Sequence, residues 1–119
     1  MRRMDAAIDP RTRDLSGQRT DTLANAVYLR LTVPLGSWFA DPALGSRLYE
    51  LERSKDLARI GVLARQYAEE ALASLTRDGR AQHIGVSVDQ PGNGWLTLRV
   101  EVLDAGGRLH TFQHPVRVI

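Results

Sequence analysis

The sequence predicts an α+β domain in which two to three N-terminal helices pack on a C-terminal three-stranded, mainly antiparallel sheet, a meander. Three observations predict it. Apolar residues recur at three- and four-residue steps before Gly79 and at every second residue after it. Two turn strings, Gln90-Pro91-Gly92-Asn93-Gly94 and Asp104-Ala105-Gly106-Gly107, cut the second half into strands joined closely enough to pair antiparallel. One long helical stripe is the only large apolar surface available to cover that sheet, which makes two layers.

Each element has its own signals. Residues 1–19 show little periodicity, and Asp9-Pro10 and Ser16-Gly17 are turn signals, so they read as an N-terminal arm ahead of a single domain over 20–119. A helix is expected from Thr20-Asp21-Thr22, where a side-chain oxygen can cap free backbone donors, with Leu23, Ala26, Val27, Arg30 and Leu31 on one face. Pro34 and Gly36 stop it. Asp41 before Pro42 starts a second, short helix whose Leu44, Leu48 and Leu51 share a side. Ser54 and Asp56 open the third, which carries Leu57, Ile60, Leu63, Ala64, Tyr67, Ala68, Ala71, Leu72 and Leu75 and ends at Asp78-Gly79. The strands follow as Ile84-Val88, Leu96-Val102 and Leu109-Val118, each alternating in character.

Composition narrows the function classes. At 119 residues with 43% hydrophobic and 25% charged residues, the chain is long enough to bury roughly two-thirds of its unfolded surface and is neither disordered nor repetitive. It has no cysteine, which excludes disulfides, thiolate metal sites and a cysteine nucleophile. No apolar run approaches the ~20 residues of a membrane span, and Met1-Arg2-Arg3-Met4-Asp5 leads into no apolar stretch, so no secretory signal is expected. The whole net charge of +2 sits in residues 1–19, and the remainder is neutral. A nucleic-acid module needs a basic stripe on its folded part, so direct nucleic-acid binding through that arm is the weaker expectation.

The chemistry-bearing residues are sparse. His110 and His114 lie four strand steps apart, roughly 13 Å, too far to share a metal, and they are expected at a strand end or facing solvent. Glu50, Glu52, Glu69, Glu70 and Glu101 could supply the carboxylate pair of a cell-wall hydrolase. Glu50 and Glu52 point different ways on a helix, however, and Glu69 and Glu70 read as solvated surface. Gly92-Asn93-Gly94 joins strands and opens no helix, so it cradles no phosphate. No cofactor, metal or catalytic activity is expected.

The informative stretch runs from Leu35 to Leu48. Trp38 and Phe39 stand together in a Gly- and Pro-bounded loop of a chain with only 6% aromatics. Such a pair either plugs the end of the core or, with Arg47, forms an aromatic–arginine contact surface.

From Asp21-Thr22-Leu23-Ala24-Asn25-Ala26-Val27-Tyr28-Leu29-Arg30-Leu31 onward, the sequence resembles the Mu-like branch of the small baseplate wedge family of contractile-tailed phages, also called the W-type or sheath-initiator family. Thr32 to Trp38, Gly45-Ser46-Arg47-Leu48-Tyr49-Glu50-Leu51, Tyr67 to Leu72 and the ending Phe112-Gln113-His114-Pro115-Val116-Arg117-Val118 carry the resemblance. It implies a structural role in the baseplate of a phage tail or tail-like particle made in the bacterial cytoplasm. Six copies would sit around the tail tube, joining other wedge proteins to the first ring of sheath subunits, with the sheet extended by strands from the sheath. The last strand is the natural edge, since Pro115 cannot donate to a central ladder. The partner contacts expected on this basis are Gly36, Ser37, Trp38, Phe39, Gly45, Ser46 and Arg47 in the loop, and Leu109, Thr111, Phe112, Val116 and Val118 on the last strand. The wider family often carries Gly-Glu-Arg where this chain has Gly36-Ser37-Trp38, so an aromatic contact here replaces a charged one. Some relatives carry the label lysozyme, a label that the carboxylates of this chain do not explain.

Overall fold

The computed structural model describes residues 15–119. The expected arm therefore lies largely outside the described residues. Helix α1 spans Leu15–Thr32, a short 3-10 turn spans Leu48–Leu51, helix α2 spans Ala58–Arg77, and strands β1 (Ala81–Asp89), β2 (Trp95–Asp104) and β3 (Leu109–Arg117) complete the chain. The strands form one antiparallel sheet in the order β1-β2-β3, the expected meander.

The core lies between the helices and one face of the sheet. Leu96, Leu98, Val100 and Val102 of β2 are fully buried and face Ala64, Ala68, Leu72 and Leu75, which are as deeply buried on α2. Two alanines on this helix stripe let the backbone approach the sheet closely. Leu23, Ala26, Val27 and Leu31 bring α1 into the same cluster. Helix α2 ends as its sequence indicates: Asp78 N–H bonds to Ser74 O, Gly79 N–H bonds to Thr76 O, and Gly79 takes φ +81°. A glycine accepts that left-handed conformation without a Cβ penalty.

Three local expectations are corrected. Helix α1 begins at Leu15 rather than at Thr20, because the turn preference of Ser16-Gly17 is a weak prior against helix propagation. The helix expected from Asp41 is a loop that reaches only one 3-10 turn, at Leu48–Leu51. Gly45 at φ +121° interrupts any continuous helix there, although Leu44, Leu48 and Leu51 are all buried as expected. Finally, α2 starts at Ala58 with extended Leu57 before it, and no side chain caps it. The sequence 53–56 instead pairs with the chain end: Arg53 N–H bonds to Arg117 O, Ile119 N–H to Ser54 O, and Asp56 N–H to Ile119 O.

Candidate partner-binding surfaces

The loop between α1 and the 3-10 turn is closed at its neck. Ser46 N–H bonds to Val33 O and Leu35 N–H to Ser46 O, both at 2.9 Å, making a short parallel bridge between Pro34 and Ser46. Ser46 itself is buried. Its hydroxyl donates to Leu31 O at 2.8 Å and accepts from Leu48 N–H at 3.2 Å. Gly45 is packed so tightly that a Cβ would lie 2.3 Å from Val33 O. Of the expected contact residues, Gly45 and Ser46 therefore hold the loop shut from inside and offer no surface.

Above the neck the loop is open to solvent. Gly36, Ser37, Trp38 and Phe39 are exposed, Trp38 by 49% and Phe39 by 97%, so neither ring plugs the core. Bonds from Gly36 N–H to Pro42 O and from Asp41 N–H to Trp38 O shape the tip that carries them. Arg47 lies apart from this tip in contact terms. Its guanidinium sits 4.6 Å from the Tyr67 ring centroid and pairs with Glu50 at 3.1 Å. That bond to Glu50, with its charge, holds the Arg47 pKa above the ordinary arginine value. Sequence reasoning had no signal for Tyr67 as the platform beneath Arg47, because the contact spans two elements.

Strand β3 lies at one edge of the sheet. Arg117 O and both main-chain groups of Ile119 turn away from β2 toward residues 53–56, whereas Val118 N–H turns inward to Gly94 O. Main-chain direction alternates along a strand, so the N–H and C=O groups of Leu109, Thr111 and Gln113 also point out of the sheet. Pro115 falls in the same set, and its missing N–H faces the open margin. Among the described residues no backbone group meets those of Leu109, Thr111 and Gln113. Side chains on β3 divide by face: Leu109 and Thr111 are exposed, Phe112 is half-buried against the core, and Val116 and Val118 are core residues. Phe112, Val116 and Val118 are thus not exposed contact side chains, as the alternation of the strand dictates.

The histidines depart from expectation. His110, Phe112 and His114 share the inner face, so neither histidine is solvent-facing. His110 Nε2 lies 2.8 Å from Asp104 Oδ2, and its ring stacks near Phe112. The other oxygen of Asp104 accepts the N–H groups of Gly106 and Arg108, both at 2.9 Å, which fastens the β2–β3 turn. The bond with His110, then these turn bonds, hold the Asp104 carboxyl below its usual range. Burial pushes the His114 pKa down, and the charge of Glu52 opposes this in part. Glu50, Glu52, Glu69, Glu70 and Glu101 are all exposed. Among the described residues no three His, Asp or Glu side chains gather to hold a metal ion, and no helix is long and apolar enough to cross a membrane.

With a two-layer α+β fold and an open meander described, the chain can be set beside known proteins. It belongs to the family described as phage protein GP46, whose model matches residues 15–109. It is 31% identical over 105 residues to the Mu-like prophage FluMu protein gp46 of Haemophilus influenzae, a match covering 78% of each chain. It is 42% identical over 65 residues to the baseplate protein gp46 of Escherichia phage Mu, covering 55% of this chain and 45% of that protein, less than half its length. The expected resemblance to the Mu-like branch therefore stands.

A solved structure from Geobacter sulfurreducens, described as a “putative tail lysozyme”, matches with TM-score 0.70 at 15% identity, over 84% of this chain and 91% of that one. This corrects the expectation that the chain is not an enzyme, since a protein bearing an enzyme's description shares its fold. The likeness shows the fold alone. Catalysis lives in sites set on a fold, and at that identity no catalytic residue carries over.

Proposed function

We propose that this chain is the part of a contractile-tail baseplate on which sheath assembly starts, and that it works by lending the β3 margin to a strand from a neighbouring subunit. It is a structural baseplate protein of the Mu-like wedge kind, found in a phage tail or tail-like particle, and it contacts other baseplate and sheath proteins. Membership of the GP46 family and likeness to the phage Mu baseplate protein are the observations that carry this role. Six copies around the tail tube, the exposed Trp38–Phe39 tip as the wedge-docking contact, and strand sharing at β3 are the finer parts of the proposal.

The geometry supports strand sharing in one specific way. An incoming strand needs main-chain donors and acceptors in a row, and Leu109, Thr111 and Gln113 present them outward on a terminal strand of the sheet. Introducing proline at Thr111 tests this cleanly. It removes an outward N–H and leaves the inward bonds of His110 and Phe112 to β2 in place. Particles carrying Thr111→Pro should assemble tubes and baseplates but not grow sheaths, as seen by electron microscopy. Normal sheaths on that variant would sink the β3 part of the proposal.

A further inference from the structure

The opposite margin of the sheet is built differently. Strand β2 directs the main-chain groups of its even-numbered residues to β3, as the Asp104 N–H to Arg108 O bond continues. Its odd-numbered residues therefore bond β1 through His83, Gly85, Ser87 and Asp89, which leaves the groups of Ile84, Val86 and Val88 facing outward. Among the described residues none of these three has a backbone partner on that side. Their side chains lie on the inner face and are only half covered, whereas the residues opposite them, Val102, Val100 and Leu98, are fully buried. One and the same margin thus leaves both hydrogen-bonding groups and an apolar strip incomplete.

A shallow groove of ≈ 420 Å³ runs beside this margin, lined by Glu69, Leu72, Ala73, Thr76, Arg77 and Ile84. Its floor is apolar and its two ends on α2 are oppositely charged. Eight helical steps separate Glu69 from Arg77, about 12 Å. Four strand steps from Ile84 to Val88 cover about 13 Å. Helix and strand are joined by the tight turn at Asp78–Arg80, so Arg77 lies toward the start of β1 and Glu69 toward its later part.

We infer that the β1 margin is a second docking site, which takes an extended segment of a partner polypeptide as a fourth strand antiparallel to β1. The segment's groove-facing side chains, at every second residue, run basic, apolar, acidic from its N-terminal end, meeting Glu69, the apolar floor and Arg77 in turn. Main-chain bonds supply the attachment and the charge pattern supplies the direction. The inference rests on this margin and groove and not on the tail role, so the two can fail separately.

The probe is the peptide acetyl-Thr-Arg-Thr-Val-Thr-Glu-Thr-amide, titrated into the full chain and read by residue-resolved amide exchange. Exchange at Ile84, Val86 and Val88 should be fast in the free protein and slow by about tenfold or more at saturation, with Thr111 and Gln113 unchanged. The same peptide with Arg and Glu exchanged should bind at least about fivefold more weakly. The double variant Glu69→Arg, Arg77→Glu changes only exposed helix positions and should reverse that preference. Three results would overturn the inference: exchange at Ile84, Val86 and Val88 that is already slow without peptide, protection confined to Thr111 and Gln113, or equal binding of the two peptides. The second of these would leave the proposed use of β3 standing.

Discussion

Gly45 and His114 show how single residues set the limits of this protein. Gly45 combines φ +121° with a backbone oxygen 2.3 Å from where a Cβ would sit. Gly36, in the same loop, has φ +86° and nothing within 4 Å. Both glycines relieve the left-handed backbone, but only Gly45 also permits a close approach. Gly45→Ala should therefore destabilise the chain by roughly 2–4 kcal/mol and Gly36→Ala by about 1 kcal/mol, measured by urea unfolding. His114 gives a pH dependence whose sign follows from burial. The folded state favours the neutral ring, so the unfolded chain binds the proton more readily than the fold does. Stability contributed in this way is complete above the ordinary pKa of 6.5 and falls as the pH drops through and below it. The urea midpoint should decline from about pH 8 to about pH 5, and His114→Leu should lack that part of the decline. Asp104 acts in a separate and lower window. Its depressed pKa adds stability above the ordinary 3.8 that disappears as the pH falls through the folded value.

At the scale of elements, α2 is the piece on which the others depend. Its stripe from Ile60 to Leu75 was legible because a 3.6-residue period held for five turns, and its end was legible in Asp78-Gly79. Leu72 is fully buried between the sheet and the helix face. Leu72→Ala should cost about 2–5 kcal/mol of stability by urea or thermal unfolding, through lost transfer energy and the cavity left behind. The short helix expected at Asp41 was not legible. Leucines at Leu44, Leu48 and Leu51 are spaced for a helix, and they are buried, but burial here is satisfied by an irregular segment tied at the Val33–Ser46 neck. Periodicity reports which side chains go inside. It does not report whether the backbone between them is helical when a long-range bond competes. The same competition moved the start of α2, where residues 53–56 pair with the chain end rather than cap the helix.

For the whole molecule, the two surfaces expected to meet partners are separable from the fold. Trp38 and Phe39 project from a loop whose neck is held by Ser46 and Gly45, well away from the buried cluster. Trp38→Ala with Phe39→Ala should change stability by no more than about 0.5 kcal/mol. The same double variant should reduce incorporation of the chain into baseplates, read by particle composition. A global loss of stability would instead assign the rings to the fold. Arg47 does not belong with them as a free contact, since Tyr67 and Glu50 already engage it. Both outer strands leave a row of main-chain groups open among the described residues, a feature that proteins without partners suppress.

The amino-acid order alone determined the α+β class, the meander, the long core-facing helix and the exposure of an aromatic pair between Gly36 and Pro42. These follow from periods, turn residues and apolar spacing, which act between neighbours in the chain. Tertiary structure alone decided that Ser46 and Gly45 close a loop, that Arg47 rests on Tyr67, that His110 and His114 turn inward, and that Val116 and Val118 belong to the core. Each of those depends on a contact between residues far apart in sequence, or on which face of a strand meets the helices. An alternating pattern defines two faces of a strand, and only the packed partner chooses between them.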